Sequence, residues 1–325
     1  MADRYFLLFY IRKRRNWILR WSKPLQFTSQ LPLQSHCSLY IGNWQNIKGL
    51  KISGPLRERI IGAVLYGAFI FISFGWNRFS FLTGVFILMI LSIYEAIQID
   101  AKLKSRTRAP RRGLTYATTL LCAGFMLGGS LSLSFQNILT LLIVAGILHH
   151  LYLFYGYADN RLAHYRKLPA WLWVAAYVGL SIGALYTYSI ILFEYDITKV
   201  FHVLLCVWVT DIAAYFTGSR WGKHKFAPSV SPKKTWEGVI GGMGMALIFS
   251  YAYGYFTGME LRDALIIGFI ISITTVLGDL SESGLKRVSG IKDSGKLIPG
   301  HGGILDRIDG YLYVQPFIAL YYMIS

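Results

Sequence analysis

Residues 79–97 read FSFLTGVFILMILSIYEAI, nineteen positions whose only charged side chain is Glu95. A helix of that length rises about 28 Å, close to the thickness of a bilayer's hydrocarbon core. The run is continuously apolar rather than alternating, so it predicts a membrane helix and not a strand of a β-barrel. The run at 60–77 ends a residue or two earlier, which predicts a tight helical hairpin. Similar runs follow at 113–133, 138–158, 170–193, 200–218, 237–257, 263–280 and 311–325; the last is short and contains Gln315 and Pro316. The expected fold class is all-α, a polytopic transmembrane helical bundle of about nine spans.

Composition agrees. Hydrophobic residues make up 54% of the 325 and charged residues 15%, against about 25% charged in soluble domains. The net charge of +17 would suggest nucleic acid on a soluble protein, but here it is divided among separate loops. Of the 33 Lys and Arg, 30 fall in residues 1–59, 98–112, 159–169, 219–236 and 281–310, which share one side of a nine-span layout. Only Arg78, Lys199 and Arg262 fall on the other. Basic loops are retained in the cytoplasm, so this bias puts the amino terminus inside and the carboxyl terminus outside. Loops 219–236 and 281–310 would then be cytosolic. Cys37, Cys122 and Cys206 are scattered and form neither a disulfide nor a metal pattern.

Residues 1–55 read as a basic amino-terminal extension, and 56–325 as the membrane domain. Arg12-Lys13-Arg14-Arg15 follows the apolar stretch Tyr5–Ile11, the reverse of the order in a secretory signal. A basic arm lying on anionic lipid fits better, with an organelle-targeting segment as the alternative.

The few acids are placed tellingly. A carboxylate in hydrocarbon needs a cation, a partner or water. Glu95 lies near the inner end of its span, with Arg108, Arg111 or Arg112 as candidate ion-pair partners. Asp211 lies about two turns from the inner end of span 200–218, and Asp279 is expected to close span 263–280. Asp279 and Glu282 are three apart and share a face if the helix continues. Then come Lys286-Arg287, Lys292-Asp293, His301-Gly302-Gly303 and Asp306-Arg307-Ile308-Asp309. Carboxylates and cations this dense, with glycine between them, suit metal-bridged phosphate chemistry. In the other loop, Ser231-Pro232-Lys233-Lys234-Thr235 precedes a helix amino terminus, a natural anion site. Either Ser231 or Thr235 is placed to cap that helix. Trp221, Phe226 and Trp236 could stack a base or simply lie at the membrane interface; His224 reads as a loop histidine. Gly238-xxx-Gly242 is a small-residue face for helix packing in lipid.

Ser283-Gly284-Leu285-Lys286-Arg287, Lys292-Asp293-Ser294-Gly295 and Pro299-Gly300-His301-Gly302-Gly303-Ile304-Leu305-Asp306-Arg307-Ile308-Asp309 together resemble the signature of the phosphatidate cytidylyltransferase (CDP-diacylglycerol synthase) family, in its bacterial form. The upstream Gly278-Asp279, Ser231–Trp236 and Asp211…Tyr215…Gly218 resemble it too. The leader of about 55 residues and Ile212-Ala213 after Asp211 depart from the family's pattern. The resemblance implies CMP transfer from CTP to phosphatidate, giving CDP-diacylglycerol and pyrophosphate. It also implies one or two Mg²⁺ ions, a cytosolic active site and a place in a bacterial inner membrane. Expected partners are CTP, phosphatidate and membrane lipid, not nucleic acid, with a homodimer as a candidate assembly. On this reading Asp279 and Asp306 are the first choices as metal ligands, with Asp211, Asp293 and Asp309 as second choices or supports. Ser231, Lys233, Lys234 and Thr235 would hold CTP. Lys286, Arg287, Lys292 and Arg307 would clamp phosphate, and His301 would contact phosphate or orient a carboxylate. The competing readings are a CTP-dependent polyprenol or phytol kinase and, from another class, an ion-coupled transporter.

Overall fold

A computed structural model describes residues 54–103, 112–128, 133–158, 168–300 and 302–325. Residues 1–53 of the basic extension, the loop cations Arg108 and Arg111, and His301 lie outside these residues. The chain is mostly helical. Its helices are α1 (Gly54–Gly75), α2 (Arg78–Leu103), α3 (Arg112–Gly128), α4 (Leu133–Ala158), α5 (Ala170–Leu192), α6 (Ile197–Trp221), α7 (Trp236–Thr257), α8 (Leu261–Val288) and α9 (Leu305–Ile324). Each overlaps one predicted span. Seven are long and apolar enough to cross a membrane; α3 and α9 are not among them.

Helix α5 is the most deeply buried of these seven. Trp173, Tyr177 and Tyr188 are fully enclosed. Its turns widen to π-helix at Ala175–Gly179 and Thr187–Leu192. Helices α6 and α7 pack along glycine: an added Cβ at Gly242 would lie 3.0 Å from the Thr210 carbonyl, and one at Gly238 2.8 Å from the Ala214 carbonyl. The small-residue face anticipated at Gly238 and Gly242 is therefore the contact surface. Helices α8 and α9 meet the same way, with Gly278 against Tyr313 and Gly310.

Three expectations need correction. The 219–236 segment is not all loop: α6 runs on to Trp221, and Lys225–Ala227 (β1) pairs antiparallel with Ser231–Thr235 (β2). The fold is thus helical with one small hairpin. The 281–310 segment is shorter than expected, because α8 continues through Val288 and α9 begins at Leu305. Asp279 accordingly sits well inside α8 rather than at its end. The extension is stable because Ser281, Glu282, Leu285 and Lys286 are buried with partners in the fold, while Lys286 and Arg287 sit in the last turn, where cations complement the helix dipole.

Candidate active site

The hairpin is fixed before it can present anything. His224 donates its backbone N–H to Glu237, and its Nδ1 lies 2.6 Å from Glu237 Oε1. Trp236 N–H donates to the His224 carbonyl. The Phe226 and Trp236 rings meet edge to face. Thr235, almost fully buried, accepts the Gly238 N–H and caps α7. Of the two hydroxyls anticipated as caps, the structure uses Thr235, while Ser231 lies at the start of β2.

Successive side chains of a strand point to opposite faces. Lys233 is exposed, whereas Lys234 turns inward and reaches α8. Its Nζ lies 2.7 Å from Asp279 Oδ2 and 3.5 Å from the Val276 carbonyl. Ser283 Oγ donates to Asp279 Oδ1. Asp211, from α6, lies in the electrostatic field of Asp279, Asp309, Lys234 and Arg307. Four separate stretches of chain therefore converge here.

A second pair lies beside the first. Lys286, 7% exposed, puts Nζ 2.6 Å from Asp306 Oδ1 and 3.2 Å from Glu282 Oε2. Asp306 Oδ2 accepts the backbone N–H groups of Ser294 and Gly303, each at 2.9 Å. Burial works against the ionised form of Asp306, but the Lys286 ammonium and those N–H groups hold its carboxyl below the usual carboxylate range. Asp309, one turn along α9, is in side-chain contact with Glu282. Arg287 points outward and donates to the Val230 and Ile291 carbonyls, tying α8 to the hairpin turn. Lys292 and Asp293 are exposed.

The structure thus brings together Asp211, Lys234, Asp279, Lys286, Asp306, Arg307 and Asp309. It leaves Lys233 and Lys292 facing outward and uses Thr235 for capping. Sequence reasoning missed two members. Glu282 has a side chain with no exposure, and neither of its oxygens accepts a hydrogen bond from a fixed donor; its three-residue spacing from Asp279 was the available signal. Glu95 accepts the Ser294 hydroxyl and the N–H groups of Ile304 and Leu305; of its expected arginine partners, Arg108 and Arg111 lie outside the described residues.

Mg²⁺ prefers one or two carboxylates, with phosphate and water completing its shell. Among the described residues no group of three His, Cys, Asp or Glu side chains forms a dedicated cage. The donors here are hard carboxylate oxygens in ones and twos, with the buried Glu282 carboxyl, met by Lys286 and Asp309, adjoining. Asp279 Oδ1 and Asp306 Oδ1 each have one hydrogen-bonding partner and a second lone pair to give. The residues fit a Mg²⁺ ion shared with a polyphosphate.

Fold and site together define a membrane-helix protein with interlocked lysine–carboxylate pairs beside a small hairpin. The cytidylyltransferase family matches residues 57–325, and the chain belongs to that family. It is 51% identical over 127 residues to a phosphatidate cytidylyltransferase of Haemophilus influenzae, covering 37% of this chain and 44% of the relative. It is 43% identical over 147 residues to one of Staphylococcus aureus (45% and 55%) and 42% over 134 to one of Bacillus subtilis (41% and 49%). The chain spans about half the length of these curated relatives.

Proposed function

We propose that this protein is a phosphatidate cytidylyltransferase of phospholipid biosynthesis, transferring CMP from CTP to phosphatidate. The observation that carries the reading is the convergence of Lys234–Asp279 and Lys286–Asp306 from the hairpin, α8 and α9 into one charged cluster. A phosphatidate phosphate oxygen forms a bond to the α-phosphorus of CTP. The α–β bridging P–O bond breaks, and pyrophosphate leaves. No protein nucleophile is required, so catalysis is positioning and charge neutralisation.

Asp279 and Asp306 would hold one or two Mg²⁺ ions, with Asp211, Asp293 and Asp309 in support; such ions, when bound, neutralise phosphate charge as Lewis acids. Lys234 and Lys286 are already inside the cluster and would turn from carboxylate to phosphate as substrate arrives. Lys233, Ser231, Arg287, Lys292 and Arg307 border it, and His301 belongs to the same segment. The lipid would enter sideways, its tails in the bilayer.

In the proposed topology nine spans run from a cytosolic amino terminus to an external carboxyl terminus in a bacterial inner membrane. The site then faces soluble CTP. A reporter fused after Ser325 should read as external; a cytosolic signal overturns the count. The chemistry is tested with [α-³²P]CTP. Label in the chloroform-soluble product is expected. Label retained wholly in water-soluble CDP would mean terminal phosphoryl transfer, as in a lipid kinase, and would overturn the proposal.

A further inference from the structure

Helix α9 begins with a local deficiency. The first N–H groups of any helix lack intrahelical acceptors, and Ser, Thr, Asp or Asn at the N-cap commonly supplies one. Here the N-cap is Ile304, whose side chain can accept nothing. The next acceptor in the chain, Asp306, takes Gly303 N–H and Ser294 N–H instead. Ile304 and Leu305 are left, and both are buried.

Their acceptor comes from about 210 residues away. Glu95, on α2 and 1% exposed, accepts Ile304 N–H at 3.1 Å through Oε1 and Leu305 N–H at 2.8 Å through Oε2. Its Oε2 also accepts the Ser294 hydroxyl at 2.8 Å. One carboxylate thus grips the connection between α8 and α9 at Ser294, within it, and at its α9 end. Glycine makes the approach possible: a Cβ at Gly295 or at Gly303 would overlap the Glu95 carboxylate, and one at Gly303 would also meet Ser294 Oγ. Ser294 is the shared element. Its hydroxyl is held by Glu95, and its N–H holds Asp306, whose other oxygen meets Lys286.

We propose that Glu95 is a positioning residue for the reaction, a remote cap that fixes the loop 289–304 so that Asp306 meets Lys286 in the substrate-ready arrangement. It touches no reacting atom; it acts through Ser294 and the start of α9. Its catalytic consequence rests on the cytidylyltransferase reading above, whereas the cap itself does not. A cap used only for stability would leave turnover intact in any variant that stays folded. A positioning cap predicts that kcat falls while the KM for CTP stays nearly constant, because Lys234 and the hairpin are untouched.

The test uses the full chain in detergent–lipid micelles, with hydrogen–deuterium exchange read alongside turnover of [α-³²P]CTP. Losing the acceptor should speed exchange in peptides spanning Gly303–Leu305 by about tenfold or more in Glu95→Ala, with α6 and α7 unchanged. kcat should fall by at least about tenfold. Glu95→Gln keeps one carbonyl acceptor and should lie between. If Glu95→Ala fails to insert, Ser294→Ala removes a single hydrogen bond and should shift both readouts in the same direction by less. Gly295→Ala should harm the wild type, yet add little in a Glu95→Ala background, because the close neighbours of a Cβ there all belong to the Glu95 carboxylate arm. Unchanged exchange at Gly303–Leu305, full turnover by a folded Glu95→Ala protein, or additive losses with Gly295→Ala would each overturn the proposal. Altered exchange in a protein whose wild type never labels lipid would instead leave the cap standing and remove the activity assigned to it.

Discussion

Replacing Lys286 by Met removes an ammonium that two buried acids share, and the structure sets the scale of the loss. The 2.6 Å contact to Asp306 corresponds to about 6 kcal/mol of attraction at an effective dielectric constant of about 20. Desolvation of the charges takes back much of that. Breaking a buried pair from one side has a net cost of about 3–5 kcal/mol, because the remaining charge is left uncompensated. At about 2 °C per kcal/mol for a chain of this size, Lys286→Met should melt about 6–10 °C below wild type. Methionine fills a similar volume, so packing contributes little to the difference. Adding Glu282→Gln replaces the buried carboxyl that has lost its lysine with a neutral side chain of the same shape, and Asp306 still keeps two backbone donors; the double variant should therefore regain part of the loss. Arg287, adjacent in sequence but exposed, is the internal control, and Arg287→Met should cost less than about 1 kcal/mol. Melting by intrinsic fluorescence in one detergent, with all four proteins side by side, is the assay. The reasoning fails if Lys286→Met melts within about 1 °C of wild type, or if adding Glu282→Gln lowers stability further.

Asp279→Asn and Asp306→Asn should each leave an inserted, folded protein with turnover below about 1% of wild type, the scale of losing a charge-stabilising group; near-normal turnover in either would contradict the ligand assignment. Excess EDTA should abolish label transfer and added Mg²⁺ should restore it, so an undiminished rate under chelation counts against a divalent ion. Gly278→Ala places a methyl 2.7 Å from Tyr313 Cβ and 3.1 Å from Gly310 Cα. Overpacking of this kind costs about 1–3 kcal/mol, and a melting temperature equal to wild type would show that α8 and α9 are not in the contact described.

Most of the architecture was legible because membrane helices announce themselves by length and apolarity alone. The nine helices among the described residues each overlap a stretch where an apolar run was read. The misreadings share a cause: hydropathy marks where a chain can meet lipid, not where a helix ends. Ser281–Arg287 is polar by composition and was therefore assigned to a loop. Ser281–Lys286 are buried between α8's neighbours and find partners inside the protein, so the helix continues. The same blindness hid Glu95. A lone acid near a span's end suggests a nearby arginine, and no local pattern points to backbone donors some 210 residues ahead. Glu282 was visible as the same-face neighbour of Asp279, but nothing local distinguishes a carboxylate that will be sealed from solvent from one that will be wetted.

The hairpin explains something that motif matching alone would blur. Lys233 and Lys234 are equivalent as letters before a helix amino terminus, where either could attract phosphate. A helical or irregular approach would leave both free to do so. In β2 Lys233 is exposed while Lys234 is half-buried against α8, and pairing of Lys225 with Thr235 and Ala227 with Ser231 holds the segment on either side of an irregularity in register. The Glu237–His224 contact then anchors the ribbon to the first turn of α7, and Thr235 closes that turn. A slip of one residue would exchange the two lysines, leaving Asp279 without its cation and moving Thr235 off its cap. The register is held from both ends, and that is what makes Lys234, rather than its neighbour, part of the charged cluster. Two short strands, the only ones among the described residues, thus serve to choose one ammonium and aim it.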